Sequence, residues 1–413
     1  MRVRARLRDL ALGLVGVVLA LAACGDTSAP SERLLRIGVL VPLTGPAAFL
    51  GSPLAAGAQV WVDSLNAEKG GVAGKYRVEL VLRDSRGDPA TTVQAYKGLK
   101  SEVVMFNVFG TTALKALLPQ LERDGGAALA NTLDADWIRE PNLIPVGVPY
   151  QLEAINIVGY YVQAEAPQRG GTVCAMVEDS AFGEAAEEGV ALATQELGLD
   201  PGETARFRSG DQEFTAQVTQ LQRAGCDAIV LAAGAPDTSG ILSTAARSRF
   251  APRWLGLAPA WAAALATSPL QDYLEDNFWH VREGAQYGDR SIPGMAEFLA
   301  HIERYPPSLD VAKSDPRLIN GYTQGKVMTA VLEQAVKEGD VSKEGILRAI
   351  PRVGTLSFDG LAADYYYGPI DERGPDPTSP IFKIDATEPF GLAPIHPGFK
   401  SQAADRFEPK RGG

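Results

Sequence analysis

The chain has 413 residues, 46% of them hydrophobic and 22% charged, a globular balance with enough length for two domains with ordinary cores. A formal net charge of −11 argues against nucleic acid as a partner, because phosphate neutralisation needs clustered Lys and Arg. No segment after the first 24 residues has enough unbroken apolar length to span a bilayer.

Arg2, Arg4, Arg6 and Arg8 open the chain, and an apolar run over residues 11–20 follows. That run is shorter than the roughly 20 residues a spanning helix needs. Small side chains then lead to Leu21-Ala22-Ala23-Cys24, the layout of an export signal over residues 1–23. The last four residues resemble a bacterial lipobox. Signals of that kind carry a diacylglycerol on the cysteine thiol, and cleavage makes the cysteine the new N-terminus. The expectation is a lipidated tether over residues 24–34, holding a soluble body outside the cytoplasmic membrane through Cys24. Losing residues 1–23 takes away four arginines and Asp9, a net +3, and leaves about −14.

Regular alternation starts at residue 35. Residues 35–41 form a continuous apolar run, as in a strand buried on both faces. Ser52-Pro53 reads as an N-cap and first helical residue, with Ala56, Val60, Trp61 and Leu65 at helical spacing and Gly70-Gly71 as the stop. A strand over 77–83, a helix opened by Asp88-Pro89, a strand over 103–109, a helix from Gly110-Thr111-Thr112 to about Arg123 and a short strand over 127–131 follow. A second series runs from near Tyr150. Its helices are expected over 153–164, 183–197, 214–224 and 237–248, and its strands over 172–177, 205–208, 227–233 and 254–257. The remainder is helical at 321–338 and 343–349, then irregular around Tyr365-Tyr366-Tyr367. Such β-α alternation implies parallel sheets covered by helices, and two such lobes place a ligand crevice at the C-terminal ends of their strands. Hinge closure around that ligand is expected.

The order of several motifs resembles the branched-chain amino-acid-binding proteins of ABC importers, on the type I periplasmic-binding-protein fold. Residues 37–46 read Ile-Gly-Val-Leu-Val-Pro-Leu-Thr-Gly-Pro, and Phe49-Leu50-Gly51 follows. Asn66-Ala67-Glu68-Lys69-Gly70-Gly71-Val72-Ala73-Gly74 and Arg83-Asp84-Ser85-Arg86-Gly87-Asp88-Pro89 come next. The second series carries Glu178-Asp179-Ser180-Ala181-Phe182-Gly183, Phe214-Thr215-Ala216-Gln217 and Gly225-Cys226-Asp227-Ala228-Ile229-Val230. The resemblance covers roughly residues 35–390. It implies an α/β fold of two doubly wound parallel-sheet lobes joined by a three-segment hinge. Residues 35–149 plus 285–352 would form the first lobe, 150–284 plus 353–390 the second, and 391–413 an irregular tail.

The resemblance also implies a site. A ligand carboxylate would be held in the first lobe by Thr111 and Thr112, at the start of the third helix, and by Thr132, Leu133 and Asp134 after the fourth strand. The physics supports Thr111, since a helix N-terminus offers unpaired N–H groups and partial positive charge, although the same residue also suits an N-cap. Asp134 fits a carboxylate poorly and is expected either to meet a ligand ammonium or hydroxyl or to turn to solvent. In the second lobe Phe182 stands where an aromatic stacks on the ligand, with a core role as its alternative. Gly234 stands where another aromatic is usual, which enlarges the pocket. Ala258 stands where the family has the acid that meets the ligand ammonium. A buried ammonium without a carboxylate is costly, so an ordinary α-amino acid fits only if Asp134, or another acid that the sequence does not place, supplies the contact. Trp261 either lines the widened pocket or belongs to the core. Leu50 and Tyr150 are further candidates, and Tyr287 falls near the second crossing.

Other chemistry is absent. His280, His301 and His396 are widely separated, so no metal is expected. No nucleophile elbow and no Walker-type loop occurs. No cofactor and no catalysis are expected. With Cys24 assigned to lipid, Cys174 and Cys226 either pair in an oxidising compartment or remain buried thiols. The function implied is capture of a small amino-acid-like or other carboxylate ligand by a monomeric lipoprotein, for delivery to an ABC permease and its ATPase. A ligand-sensing receptor domain on the same fold is the alternative.

Overall fold

The computed structural model describes residues 33–410, so the expected signal and Cys24 lie outside the described residues. The first lobe is built from β1 (Arg33–Val41), α1 (Ala48–Lys69), β2 (Tyr76–Asp84), α2 (Pro89–Leu99), β3 (Met105–Phe109), α3 (Thr111–Arg123), β4 (Ala128–Asn131) and β5 (Leu143–Ile144). Its sheet runs β2-β1-β3-β4-β5, all parallel. The expected tether stops short of residue 34, because Arg33 and Leu34 already pair with Tyr76 and Arg77 in β2.

Local chemistry sets the element ends. Asp88 accepts the Thr91 N–H at 2.7 Å and Pro89 fills the first helical position of α2, where its missing N–H is harmless. Gly110 precedes α3 at φ +95°, a conformation that suits glycine. The start of α1 differs from expectation: the helix begins at Ala48, so Pro53 lies inside it and not at its N-terminus.

The second lobe follows with α4 (Tyr150–Ala164), α5 (Ala166–Arg169), β6 (Thr172–Glu178), α6 (Ala181–Leu197), β7 (Asp200–Phe207), α7 (Thr215–Arg223), β8 (Ala228–Ala232), α8 (Ala235–Arg247), β9 (Arg253–Gly256), α9 (Gln271–Asn277) and β10 (Phe278–Val281). The chain then returns to the first lobe with α10 (Pro293–Arg304), α11 (Arg317–Lys337) and α12 (Lys343–Ala349). A small antiparallel sheet of β11 (Gly354–Leu356), β12 (Tyr365–Tyr367) and β13 (Gly374–Pro375) comes next, and β14 (Ser379–Ile384) and β15 (Leu392–Phe399) end the series. The second sheet runs β15-β14-β10-β9-β8-β6-β7, parallel from β10 to β7 and antiparallel at β14 and β15.

Two expected boundaries are corrected. Residues 354–375 belong with the first lobe, because Phe358, Leu361, Tyr365 and Tyr367 are buried in its core while Tyr366 points outward. Residues 391–413 are not simply irregular: β15 pairs with β14 and adds an edge to the second sheet, and a short 3-10 turn at Gln402–Arg406 packs on α4 and α6.

Each sheet is covered on both faces. In the first lobe α1 and α11 cover one face and α2 and α3 the other. The pair α1/α11 meets backbone to backbone: a Cβ on Gly57 would lie 2.1 Å from the Leu318 carbonyl oxygen, and one on Gly321 2.0 Å from that of Leu54. In the second lobe α4 and α6 cover one face, and α7, α8 and α9 the other. Cys174 and Cys226 form a disulfide with Cα atoms 5.7 Å apart, tying β6 to the turn before β8.

Three segments cross between the lobes, at residues 145–149, 282–292 and 376–378. Tyr367 Oη donates to the Pro145 carbonyl at 2.8 Å beside the first crossing. Arg373, buried just before the third, donates to the carbonyls of Trp137, Ile138, Glu140 and Leu143.

Candidate ligand-binding site

A cavity of about 490 Å³ lies at the C-terminal ends of the parallel strands of both sheets. In each sheet one strand has its sequence neighbours on opposite sides, β1 between β2 and β3, and β6 between β7 and β8. Loops diverge there and leave a crevice. Of the residues expected from sequence, Leu50, Thr111, Thr112, Thr132, Leu133 and Tyr150 line the first-lobe side and the first crossing. Phe182, Gly234 and Ala258 line the second-lobe side.

The polar end is compact. Thr111 Oγ1 and Thr132 Oγ1 are 2.6 Å apart, 4% and 6% exposed, at the N-terminus of the thirteen-residue α3. Beside them Asn131 accepts Gln324 Nε2 at 2.8 Å, and Gln324 in turn accepts Asn107 Nδ2 at 3.2 Å. This relay leaves the Asn131 amide nitrogen, in the cavity wall, without a partner among the described residues. Tyr150 packs edge-on against Phe182 at 4.6 Å, and burial pushes its phenol well above the usual range. Phe49, Leu54, Phe109, Val146, Val327 and Phe358 supply an apolar lining. One end thus suits a carboxylate, and these apolar side chains suit a hydrocarbon part.

Asp134 and Trp261 do not line this cavity. Asp134 caps a 3-10 turn by accepting the Asp136 N–H at 3.1 Å and also takes Gln151 Nε2 at 3.0 Å. Lys115 stands 3.6 Å away. Both hydrogen bonds fall on Oδ1, while Oδ2 faces only Lys115 and has no hydrogen-bond partner among the described residues; the side chain is buried away from solvent and outside the cavity lining. Trp261 is core: its indole N–H donates to the Phe390 carbonyl at 3.0 Å and its ring stacks on Phe278 at 5.8 Å. It borders only a side pocket of about 60 Å³. Tyr287 also lies outside the cavity, packed on Phe298 and Phe390.

Sequence reasoning missed the acids that are present. Glu178, Asp237 and Glu283 all line the second-lobe side. Burial pushes each carboxyl up, that of Glu283 to about 7. Asp237 accepts the Gly210 N–H at 3.0 Å. Behind Ala258, the fully buried Glu153 accepts the Ala258 N–H at 3.2 Å, and burial holds its carboxyl well above the usual range. Arg317, at the start of α11, faces the cavity while bound to Asp315 at 2.8 and 2.6 Å. Among the described residues no group of three or more His, Cys, Asp or Glu side chains could hold a metal ion.

Residues 35–387 match the Periplasmic binding protein family. The chain belongs to that family. The binding protein is 25% identical over 335 residues to Leu/Ile/Val-binding protein homolog 7 of Brucella suis, a match covering 77% of this chain and 82% of the relative. It is 25% identical over 238 residues to Leu/Ile/Val-binding protein homolog 3 of Brucella melitensis, where the match covers 56% of this chain and 62% of the relative. The resemblance to branched-chain amino-acid-binding proteins therefore holds. Among solved structures, a fatty acid ABC transporter substrate-binding protein from Thermomonospora curvata superposes with a TM-score of 0.82 at 22% identity, over 92% of this chain and 95% of that one. A branched chain amino acid ABC transporter protein from Thermus thermophilus with bound valine gives 0.78 at 18% identity, over 91% and 98%. These likenesses establish the two-lobed fold of the binding protein.

Proposed function

We propose that the chain is the solute-binding lipoprotein of an ABC importer. It is anchored outside the cytoplasmic membrane through Cys24 and closes its lobes on one small carboxylate ligand, which it presents to a permease driven by an ATPase. The observation that carries this reading is the Thr111–Thr132 hydroxyl pair at the N-terminus of α3, set in a cavity bounded by both lobes. Hydroxyls and helix N–H groups receive a carboxylate, and apolar side chains receive its hydrocarbon part. The relatives' names point to leucine, isoleucine and valine, and that of one structural neighbour to fatty acids. Gly234 and Ala258 leave room for a side chain larger than those of the branched-chain amino acids. The work is capture and release, with no bond made or broken.

The test is a thermal-shift screen of the purified protein against amino acids, their deaminated counterparts and aliphatic acids of increasing length. A true ligand at 100 times its Kd adds about 2.7 kcal/mol of stability. A screen in which no carboxylate stabilises the protein would sink the reading. Loss of membrane attachment on Cys24→Ser, with the protein still exported, tests the anchor.

A further inference from the structure

One carboxylate in the cleft is placed unlike the other two. Glu283 leaves the end of β10 on the second crossing, and its Oε1 accepts the N–H of Val148 on the first. Gly147 makes the approach possible: its φ is +66°, and a Cβ there would lie 2.0 Å from the same oxygen. Glu283 and Ala258 border both the main cavity and the side pocket, so the acid sits on the wall where the sequence lacks one. Its neighbour Arg282 donates to the carbonyls of Glu283 and Ala285, at 3.1 and 2.6 Å, and its charge also favours the ionised Glu283; Arg317 pairs with Asp315 through Nε and Nη2, while its Nη1 has no hydrogen-bond partner among the described residues. Among the described residues no Lys or Arg forms an ion pair with the Glu283 carboxylate. The other groups around it are Glu153 on α4, whose own carboxyl is held well above the usual range by burial, and Tyr365 and Tyr367 on β12. The Arg282 charge offsets only part of the burial, so the cleft-lining carboxylate has room for a directly paired cation, and a ligand ammonium is the group that supplies it.

We infer that Glu283 receives the ammonium of the ligand, in place of the acid absent at Ala258, so that the cleft selects zwitterionic amino acids over deaminated acids. The inference rests on the cleft being the ligand site. It also gives the amine a mechanical role. The acid that would hold the amine already bridges two crossings, so amine binding and hinge position are linked through the Val148 N–H.

Calorimetric titration of wild-type protein and Glu283→Gln tests this. The probes are L-leucine and L-phenylalanine, with their amine-free counterparts 4-methylpentanoate and 3-phenylpropanoate, between pH 5.5 and 8.5. For wild type, amino-acid affinity should rise as pH increases through about 7, where Glu283 loses its proton while the ligand ammonium keeps its own. Glu283→Gln should weaken amino acids by roughly tenfold or more and flatten their pH dependence. The amine-free acids should bind the variant as well as wild type or better. Equal losses for both probe classes would reduce Glu283 to a structural residue and overturn the assignment. Loss of the amine preference in Glu178→Gln but not in Glu283→Gln would also overturn it. If wild type binds longer aliphatic acids but neither amino acid, the inference falls and the transport reading stands. If no carboxylate binds at all, both fall.

Discussion

Thr111→Val removes one hydroxyl from the cleft and keeps the side chain's shape. Thr111 Oγ1 and Thr132 Oγ1 are 2.6 Å apart, and both residues are more than 90% buried. Two hydroxyls carry two protons. One lies between the oxygens and Thr132 also hydrogen-bonds the Tyr150 phenol, so at most one proton of the pair remains to meet a ligand oxygen. In the variant Thr132 keeps its proton and its hydrogen bond to Tyr150 but loses the Thr111 hydroxyl as a partner. A hydrogen bond to a charged group contributes about 1.5–3 kcal/mol, so carboxylate affinity should fall roughly 10- to 150-fold. Because the pair shares one ligand-facing proton, a Thr111→Val/Thr132→Val double variant should lose less than the sum of the single losses. The ligand-free protein adds an independent readout. The single variant takes one of two partners from the buried Thr132 hydroxyl and should cost about 0.5–1.5 kcal/mol, whereas the double variant also takes a partner from the Tyr150 phenol and should cost more. Calorimetric titration with the tightest carboxylate from the screen, and urea unfolding without it, measure the two effects. Thr111→Val binding that carboxylate within twofold of wild type would refute the reasoning, as would single losses that simply add.

Gly321→Ala should lower stability by about 1–3 kcal/mol despite alanine's better helix propensity, because its Cβ would fall 2.0 Å from a backbone carbonyl that cannot step aside; an unchanged Tm would contradict this. Reducing the Cys174–Cys226 bridge, whose residues are 52 apart in sequence, should cost up to about 4 kcal/mol, read as a lower urea midpoint under reductant. The raised Glu283 pKa makes a stabilising contribution that is fully present below pH 4.5 and lost as pH rises through about 7. His280, held down to about 3 by burial, acts in the opposite direction: its contribution is present above pH 6.5 and lost on acidification. The Glu283 share therefore appears in the Tm difference between wild type and Glu283→Gln, which should favour wild type more at pH 5 than at pH 8; a flat difference contradicts it.

The sequence displayed what is local. The β-α units of the first lobe carry their own strand runs, with the Asp88 cap on α2 and glycines after α1 and α3, and Thr111, Thr132, Phe182 and Ala258 sit at strand ends whose side of the sheet is fixed by topology. Strand β5, of two residues, is too short for a period to register, and β14 is recognisable mainly through its antiparallel partners. Asp134 misled for a physical reason: an acid after a strand looks the same whether it caps a 3-10 turn or meets a ligand. Glu283 was invisible because its importance lies in a contact with Val148, 135 residues away. Asn131 gave no sign either, since its free amide is defined only by the relay through Gln324, 193 residues away on α11.

The ties around the crossings bear on the range of ligand sizes the cleft can take. Tyr367 and Arg373 hold the small sheet to the first lobe on either side of the first and third crossings, and Glu283 links the second crossing to the first. The first and third crossings are thereby short, and the longer second crossing, residues 282–292, is pinned at its start. In the proposed closure, crossings tied in this way favour one rotation, so a ligand too long for the cleft would not be met by twisting or sliding one lobe sideways. It must either fold into the cavity or hold the whole door ajar, which makes ligand length a reading on a single angular scale.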